Sequence, residues 1–392
     1  MSPDTPTYDD LRTYADVRIT QAIRKTWPGQ RFTLGPAIPS FTAVTQFVRI
    51  DSNGGQHAIV KYPLFAPMAD LLHGRYGDWP TVRARLTSTQ STNSSPARRE
   101  RRQLEVFAKA GLRVVRPLAE VSRAVLVTEA VPDARPLTDL IRSDPGRVSE
   151  VLHQVTADVA KAVAPSGLGD AAAKTENCRI TSGLRALQGS TRWQADLARS
   201  GRIPERDRAV LATLISEALR VLTGVGREPK TAAPQLHYGH LQPDHILCPS
   251  APESGPVLVS PRLQRAHPAA DLARLASQTA LGLLRGVSDQ AAAATLSCLE
   301  ELIFDRSHHW PSERAPFTRC LFQRWLADSL VTVVASATAP LSMPLPPASA
   351  AVVEDIARTC AYLGVLRKAA TVADPHLAWA PLRHHLTATA AV

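Results

Sequence analysis

The sequence predicts an α+β chain built as a small β-rich N-lobe followed by a large, mostly helical C-lobe. Three observations predict it. An Asn-Gly turn sits between two alternating runs near residue 53; from about residue 136 onward the apolar residues recur at helical spacing; and only residues 244–263 interrupt that spacing, with two short β-like runs. With 392 residues, 44% of them apolar, the chain can bury a sizeable core as one large or two medium domains, which excludes general disorder.

Residues 8–26 carry Leu11, Ala15, Val17, Ile19, Ala22 and Ile23 at helical spacing and predict a leading amphipathic helix. The period then changes to two: "FTAVTQFVRIDSNGGQHAIVKYPL" places two β-rich runs around Ser52-Asn53-Gly54-Gly55, a strong hairpin signal. Residues 62–96 are mixed in composition and end in the Ser/Thr-rich "LTSTQSTNSSP", which reads as a flexible connection or insertion. A Ser cap and Pro96 open a charged helix that continues through Leu104, Val106 and Phe107 and stops at Gly111. Two further β runs, 114–121 and 124–130, close the N-lobe before Pro132. Helices are then expected at 137–142, 147–163, 181–199, 205–223, 270–285, 288–304, 315–338 and 349–371. The domains are accordingly 1–132 and 133–392.

Charge and cysteine content narrow the partners without naming one. The formal net charge is +10, but the arginines are scattered and no aromatic-interleaved basic block occurs, so nucleic-acid binding ranks last among the readings. Cys178, Cys248, Cys298, Cys320 and Cys360 form no C-x-x-C pair and read as reduced, mostly buried thiols. The N-terminus is acidic and polar where a signal peptide would be basic and then apolar, and no apolar run approaches the length of a membrane span; a cytoplasmic chain without membrane contact is expected.

Lys61 at the end of "AIVK", Glu100 within "RRERRQL", the segment Gly111–Leu118, Tyr238-Gly239-His240 and Asp271-Leu272-Ala273 follow one another in an order that resembles the aminoglycoside-phosphotransferase-like branch of the protein kinase fold over roughly residues 30–285. In that family a strand lysine holds nucleotide phosphates and pairs with a glutamate on the next helix; "AIVK" supplies Lys61 and "RRERRQL" supplies Glu100. The segment Gly111–Leu118 matches the family's G-L-x-V-x-R-P-L, and Glu129 to Val131 would sit where an adenine docks. The family signature H-G-D-x-x-x-x-N, then a strand ending in aspartate, then D-L-A, is met by Tyr238-Gly239-His240, then His245, then Val257 to Ser260, then Asp271-Leu272-Ala273. Asp271 is implied to tie the lobe together.

The stretch 236–248 is therefore a degenerate catalytic loop. Where the family has a base and two magnesium ligands, this chain has His240, His245 and Ser260. Magnesium prefers oxygen ligands, so the metal site is damaged, and no cofactor is expected. His240 could still accept a proton, while Asp244, directly before His245, should point elsewhere unless the register slips by one. The strand turn over the phosphates also lacks closely spaced glycines. A transition-metal set of His237, His240, His245 and Cys248 has no recognised spacing, and structural histidines are the simpler reading. His308-His309 and His384-His385 read as loop or terminal residues, and Trp193, Trp310, Trp325 and Trp379 as helix packing.

Two functions follow. The first is a pseudokinase that binds a peptide or protein partner, such as an acidic leader peptide or a partner enzyme subunit. Kinase-like proteins of this branch occur in ribosomal-peptide (lanthipeptide-type) maturation with separate lyase or cyclase subunits, and this context is an analogy from the fold. The alternative is an active phosphotransferase on a small-molecule or peptide hydroxyl, using ATP and magnesium, with Lys61 on the phosphates, His240 as base and His245 near the metal.

Overall fold

A computed structural model describes residues 5–51, 55–91, 95–118, 122–164, 168, 182–224, 234–308 and 314–388. Ser52-Asn53-Gly54, residues 92–94 and 119–121, Cys178, His309 and Trp310, all singled out in the sequence, lie outside them.

The chain divides into two compact units: a small one of residues 1–109, 113–133 and 339–346, and a large one of the remainder. In the small unit α1 (Tyr8–Thr26) begins with a reciprocal cap: the Thr7 hydroxyl accepts from Asp10 N at 3.1 Å and Asp10 accepts from Thr7 N at 2.9 Å. Its buried stripe is Leu11, Ala15, Ile19, Ala22 and Ile23, while Val17, predicted with them, is exposed. Strands β1 (Phe32–Ile38), β2 (Ala43–Ile50) and β3 (Gln56–Pro63) run antiparallel in sequence order; β2 and β3 pair from Ala43 with Pro63 to Ile50 with Gln56, which fixes the hairpin predicted around residue 53. Alternation turns Ala58, Val60 and Tyr62 into the core, so Lys61 leaves β3 on the opposite face.

Of residues 62–96, the described 62–91 depart from the expected flexible connection. They hold α2 (Met68–Leu72) and α3 (Trp79–Ser91), whose Met68, Leu71, Leu72, Val82 and Leu86 are buried in the small unit's core, with Trp79 edge-on to Tyr14 at 5.9 Å. The apolar residues are too sparse to show a period by eye, and tertiary burial decides the conformation. Next come α4 (Pro96–Lys109) and β4 (Leu126–Glu129), which completes the sheet in the order β1-β2-β3-β4. Of the expected run 114–121, the described residues 114–118 include Pro117, which bridges to Thr128 on β4.

The large unit opens with β5 (Arg135–Pro136), α5 (Leu137–Ser143) and α6 (Val148–Ala162). The predicted helix 181–199 is two, α7 (Ser182–Gln188) and α8 (Arg192–Ala198), and α9 (Glu205–Val221) follows. Then β6 (Gln235–His237), β7 (Ile246–Cys248), β8 (Val257–Leu258) and β9 (Gln264–Ala266) form two small sheets: β5-β7-β8, which contains the predicted hairpin, and β6-β9, which the sequence did not announce. The helices α10 (Ala270–Leu283), α11 (Asp289–His308), α12 (Arg314–Thr338), α13 (Pro347–Glu354), α14 (Ile356–Ala369) and α15 (Pro375–Ala388) complete it. Trp193, Trp325 and Trp379 are buried packing residues, as expected.

Two features correct the sequence reading of the C-lobe. His384 and His385 lie on α15, a helix that Pro381 obscured; its buried Ala378, Trp379, Leu382 and Leu386 outweigh the hydrogen bond lost at the proline. And Ala339–Pro346, expected with the C-lobe, belongs to the small unit, where Ala339 and Met343 are buried in the core. Among the described residues no helix is long and apolar enough to cross a membrane.

Candidate functional site

In the small unit the predicted pair is formed. Lys61 Nζ donates to both oxygens of Glu100, at 2.9 and 2.8 Å, which holds the ammonium against α4. The helix places Glu100 there because it starts where the sequence says: Ser95 Oγ accepts from Arg98 N at 3.4 Å ahead of Pro96. Glu129, at the end of β4, stands opposite Ala58 rather than Lys61, and its carboxylate accepts from Arg116 N at 3.0 Å. Ala130 N donates to His57 O at 3.3 Å, and the half-buried Val131 follows just ahead of Pro132.

In the large unit the loop 236–248 is held by its backbone. Tyr238 N and Gly239 N each donate to the Asp271 carboxylate at 2.8 Å, and His237 Nδ1 lies 3.3 Å from it. Asp271 thus ties α10 to the loop, the role implied by the resemblance. Tyr238 donates its hydroxyl proton to Val259 O at 2.8 Å, fixing the residue before Ser260. Ser260 itself has φ +56, a left-handed conformation that costs about 1–2 kcal/mol for a residue with a Cβ.

His240, His245 and Ser260 are brought together, and their hydrogen bonds have a determined sense. Arg274 can only donate. Its Nη1 bonds Asp328 Oδ1 at 3.0 Å and its Nη2 bonds Gln242 Oε1 at 3.2 Å, so the Gln242 amide nitrogen is the end facing His245 Nε2 at 3.2 Å. That nitrogen donates, so His245 Nε2 accepts with its lone pair and His245 Nδ1 carries the proton, which it gives to His240 O at 3.2 Å. His240 Nδ1 in turn donates to Ser260 O at 3.2 Å, leaving Nε2 as its basic nitrogen. The two rings meet edge to face, with centroids 4.5 Å apart.

These residues do not fit a magnesium ion. The metal wants several oxygen ligands; here one position is an imidazole whose lone pair is used by Gln242, and the other is a serine. Asp244 does not compensate by a register slip, because it accepts a hydrogen bond from the Thr138 hydroxyl on α5. The transition-metal set is not assembled either. His237 turns to Asp271, burial pushes the Cys248 thiol up to about 11, and among the described residues no three His, Cys, Asp or Glu side chains could hold a metal. The described cysteines, Cys248, Cys298, Cys320 and Cys360, are buried thiols.

Burial raises the Asp244 carboxyl above the ordinary carboxylate range; the Thr138 hydrogen bond opposes this, Asp139 adds to it and Arg142 opposes it. A raised acid keeps its proton longer in the folded chain than in the unfolded one. Stability is therefore lost as pH climbs from the ordinary value through the raised one, and regained on acidification. Asp244→Asn keeps an acceptor for Thr138 without the charge, and is expected to melt above the wild type at neutral pH, with the gap closing below about pH 4. Thermal melts across that range check it; a gap independent of pH would contradict the assignment.

The small antiparallel unit with its Lys61–Glu100 pair and the helical unit with its Asp271-anchored loop are the two parts that the resemblance to the protein-kinase-like fold implies. No protein-family model matches the chain, and no curated protein matches it in sequence. Among solved structures it is similar to a choline kinase from Cryptosporidium parvum Iowa II, at 10% identity over 95% of this chain and 99% of that one, with a TM-score of 0.49. An ethanolamine kinase from Plasmodium vivax follows at 10% identity, 92% and 91% coverage and a TM-score of 0.47. A choline/ethanolamine kinase family protein from Mesorhizobium loti has 14% identity, 97% and 99% coverage and a TM-score of 0.43. Likeness at that level leaves activity to be read from this chain's own residues.

Gln242, Arg274 and Asp328 were missed in the sequence although they orient His245. Arg274 lies one helical turn after Asp271, on the same face of α10, which is a readable signal. Asp328 sits on α12 and no local pattern announces it.

Proposed function

We propose that the chain is a kinase-fold pseudoenzyme, without ordinary magnesium-dependent phosphoryl transfer, that binds a peptide or protein partner. The supporting observation is the relay from Asp328 through Arg274 and Gln242, which occupies the lone pair of His245 at the position where the fold's enzymes carry a metal-binding amide. Retention of Asp271 and Gly239 beside loss of the acids is what selection for a scaffold, rather than for chemistry, would leave. A cytoplasmic setting in lanthipeptide-type peptide maturation belongs to this proposal; its support is charge complementarity between an acidic leader peptide and a chain of net charge +10.

One observation favours a second reading. The Lys61–Glu100 pair is intact, and His240 presents Nε2 as a base, so an ATP-dependent phosphotransferase acting on a small-molecule or peptide hydroxyl is the alternative. Calorimetric titration of the full chain with ATP, with and without magnesium, separates the two. The pseudoenzyme reading expects no magnesium-dependent gain in nucleotide affinity and no ATP turnover. Tight magnesium-dependent binding with turnover would overturn it.

A further inference from the structure

In the small unit, α3 turns Val82 and Leu86 into the core, which leaves Pro80, Arg83, Ala84, Thr87 and Ser88, spaced by three and four residues, on one exposed face. That face and the half-buried Trp79 line a groove of about 580 Å³. Helix α1 lies beside it. The Tyr14 hydroxyl is 2.8 Å from Thr87 Oγ1, its ring stands edge-on to Trp79 at 5.9 Å, and the guanidinium carbons of Arg18 and Arg83 lie 5.2 and 6.0 Å from the ring centre. Among the described residues neither guanidinium meets a carboxylate, and the sequence from Trp79 to Arg99 contains no aspartate or glutamate. The nearest acids are committed elsewhere: Asp78 accepts from Thr81 N at 2.9 Å and Asp16 accepts from Gln46 at 2.6 Å. Tyr14 registers the imbalance. Burial raises its hydroxyl, but hydrogen bonds with Thr87 and Arg18, the Arg18 charge and Tyr62 bring it below the ordinary tyrosine value, so negative charge is favoured there. Val17, one turn from Tyr14 on α1, adds an apolar side chain that is 52% exposed. Arginine, tyrosine and tryptophan gathered beside exposed apolar carbon are the residue types that anchor protein interfaces.

We propose that this groove docks an acidic peptide, with carboxylates on Arg83 and Arg18 and an apolar side chain against Trp79. Docking at α3 rests on the partner-binding reading above. Fluorescence anisotropy of a fluorescein-labelled peptide of repeated Glu-Glu-Leu, titrated with the full chain, tests it. Saturable binding is expected, with none for a Lys-Lys-Leu counterpart. Arg83→Glu is expected to weaken binding by roughly tenfold or more, since a repulsive contact replaces an attractive one. Ala84→Glu sets a like charge on the groove itself and should do the same; both positions are exposed, so both variants should melt as the wild type does. Arg206→Glu makes the same change in net charge on α9 of the large unit, where the Arg206 side chain is 86% exposed, and should leave the affinity unchanged. No saturable binding, equal binding of the Lys-Lys-Leu peptide, an Arg83→Glu variant that binds like the wild type, or an equal loss in Arg206→Glu would each overturn the proposal. Each of these outcomes removes the groove alone, because the ATP titration that tests the pseudoenzyme reading does not depend on Arg83.

Discussion

Asp271→Ala is expected to destabilise the large unit by about 3–5 kcal/mol, seen as a lower denaturant midpoint at unchanged slope. The carboxylate accepts from Tyr238 N and Gly239 N, both at 2.8 Å, and faces His237 Nδ1 at 3.3 Å. Alanine leaves two backbone donors beside a fully buried tyrosine with nothing to bond, and each unmet donor costs about 1–3 kcal/mol. Asparagine should rescue little, because its nitrogen end would meet an N–H. Since the effect is on folding, it needs no nucleotide to be measured. A variant within about 1 kcal/mol of the wild type would show that Asp271 does not hold the loop.

Much of this site was legible because its frame is written in local chemistry. Helical spacing and the turn at residue 53 declare the elements; Tyr238-Gly239, the β-like runs and Asp271-Leu272-Ala273 declare the loop and its anchor. What the sequence leaves open depends on direction in space. That His245 has no lone pair to offer follows only once Arg274 and Asp328 fix the Gln242 amide. That Asp244 turns to Thr138 separates two registers that read alike in one dimension. Residues 62–96 and Ala339–Pro346 were misplaced for another reason: their few apolar side chains, such as Leu71, Val82 and Met343, gain their conformation from a core assembled by distant segments.

Gly239→Ala should cost still more, about 4 kcal/mol or upward, and yield chain that is largely unfolded or insoluble. Gly239 has φ +77, which alone penalises alanine by about 1–2 kcal/mol. A Cβ there would lie 2.0 Å from Arg262 O and 3.0 Å from the Gln264 side chain. Rotating a side chain cannot relieve contact with a carbonyl. The Arg262 backbone is itself fixed, since its N–H donates to Tyr238 O at 2.9 Å, and the pairing of β6 with β9 follows directly, His237 opposite Gln264. To admit one methyl group the loop must part from that strand, and in parting it pulls Tyr238 and Gly239 away from Asp271. The two substitutions therefore act on one assembly, so the double variant, where it can be measured, should be less damaged than the sum of its parts by 0.5–3 kcal/mol. Full additivity in denaturant titrations would mean that the glycine and the aspartate support the loop separately, and that the frame around His240 is not a single cooperative piece.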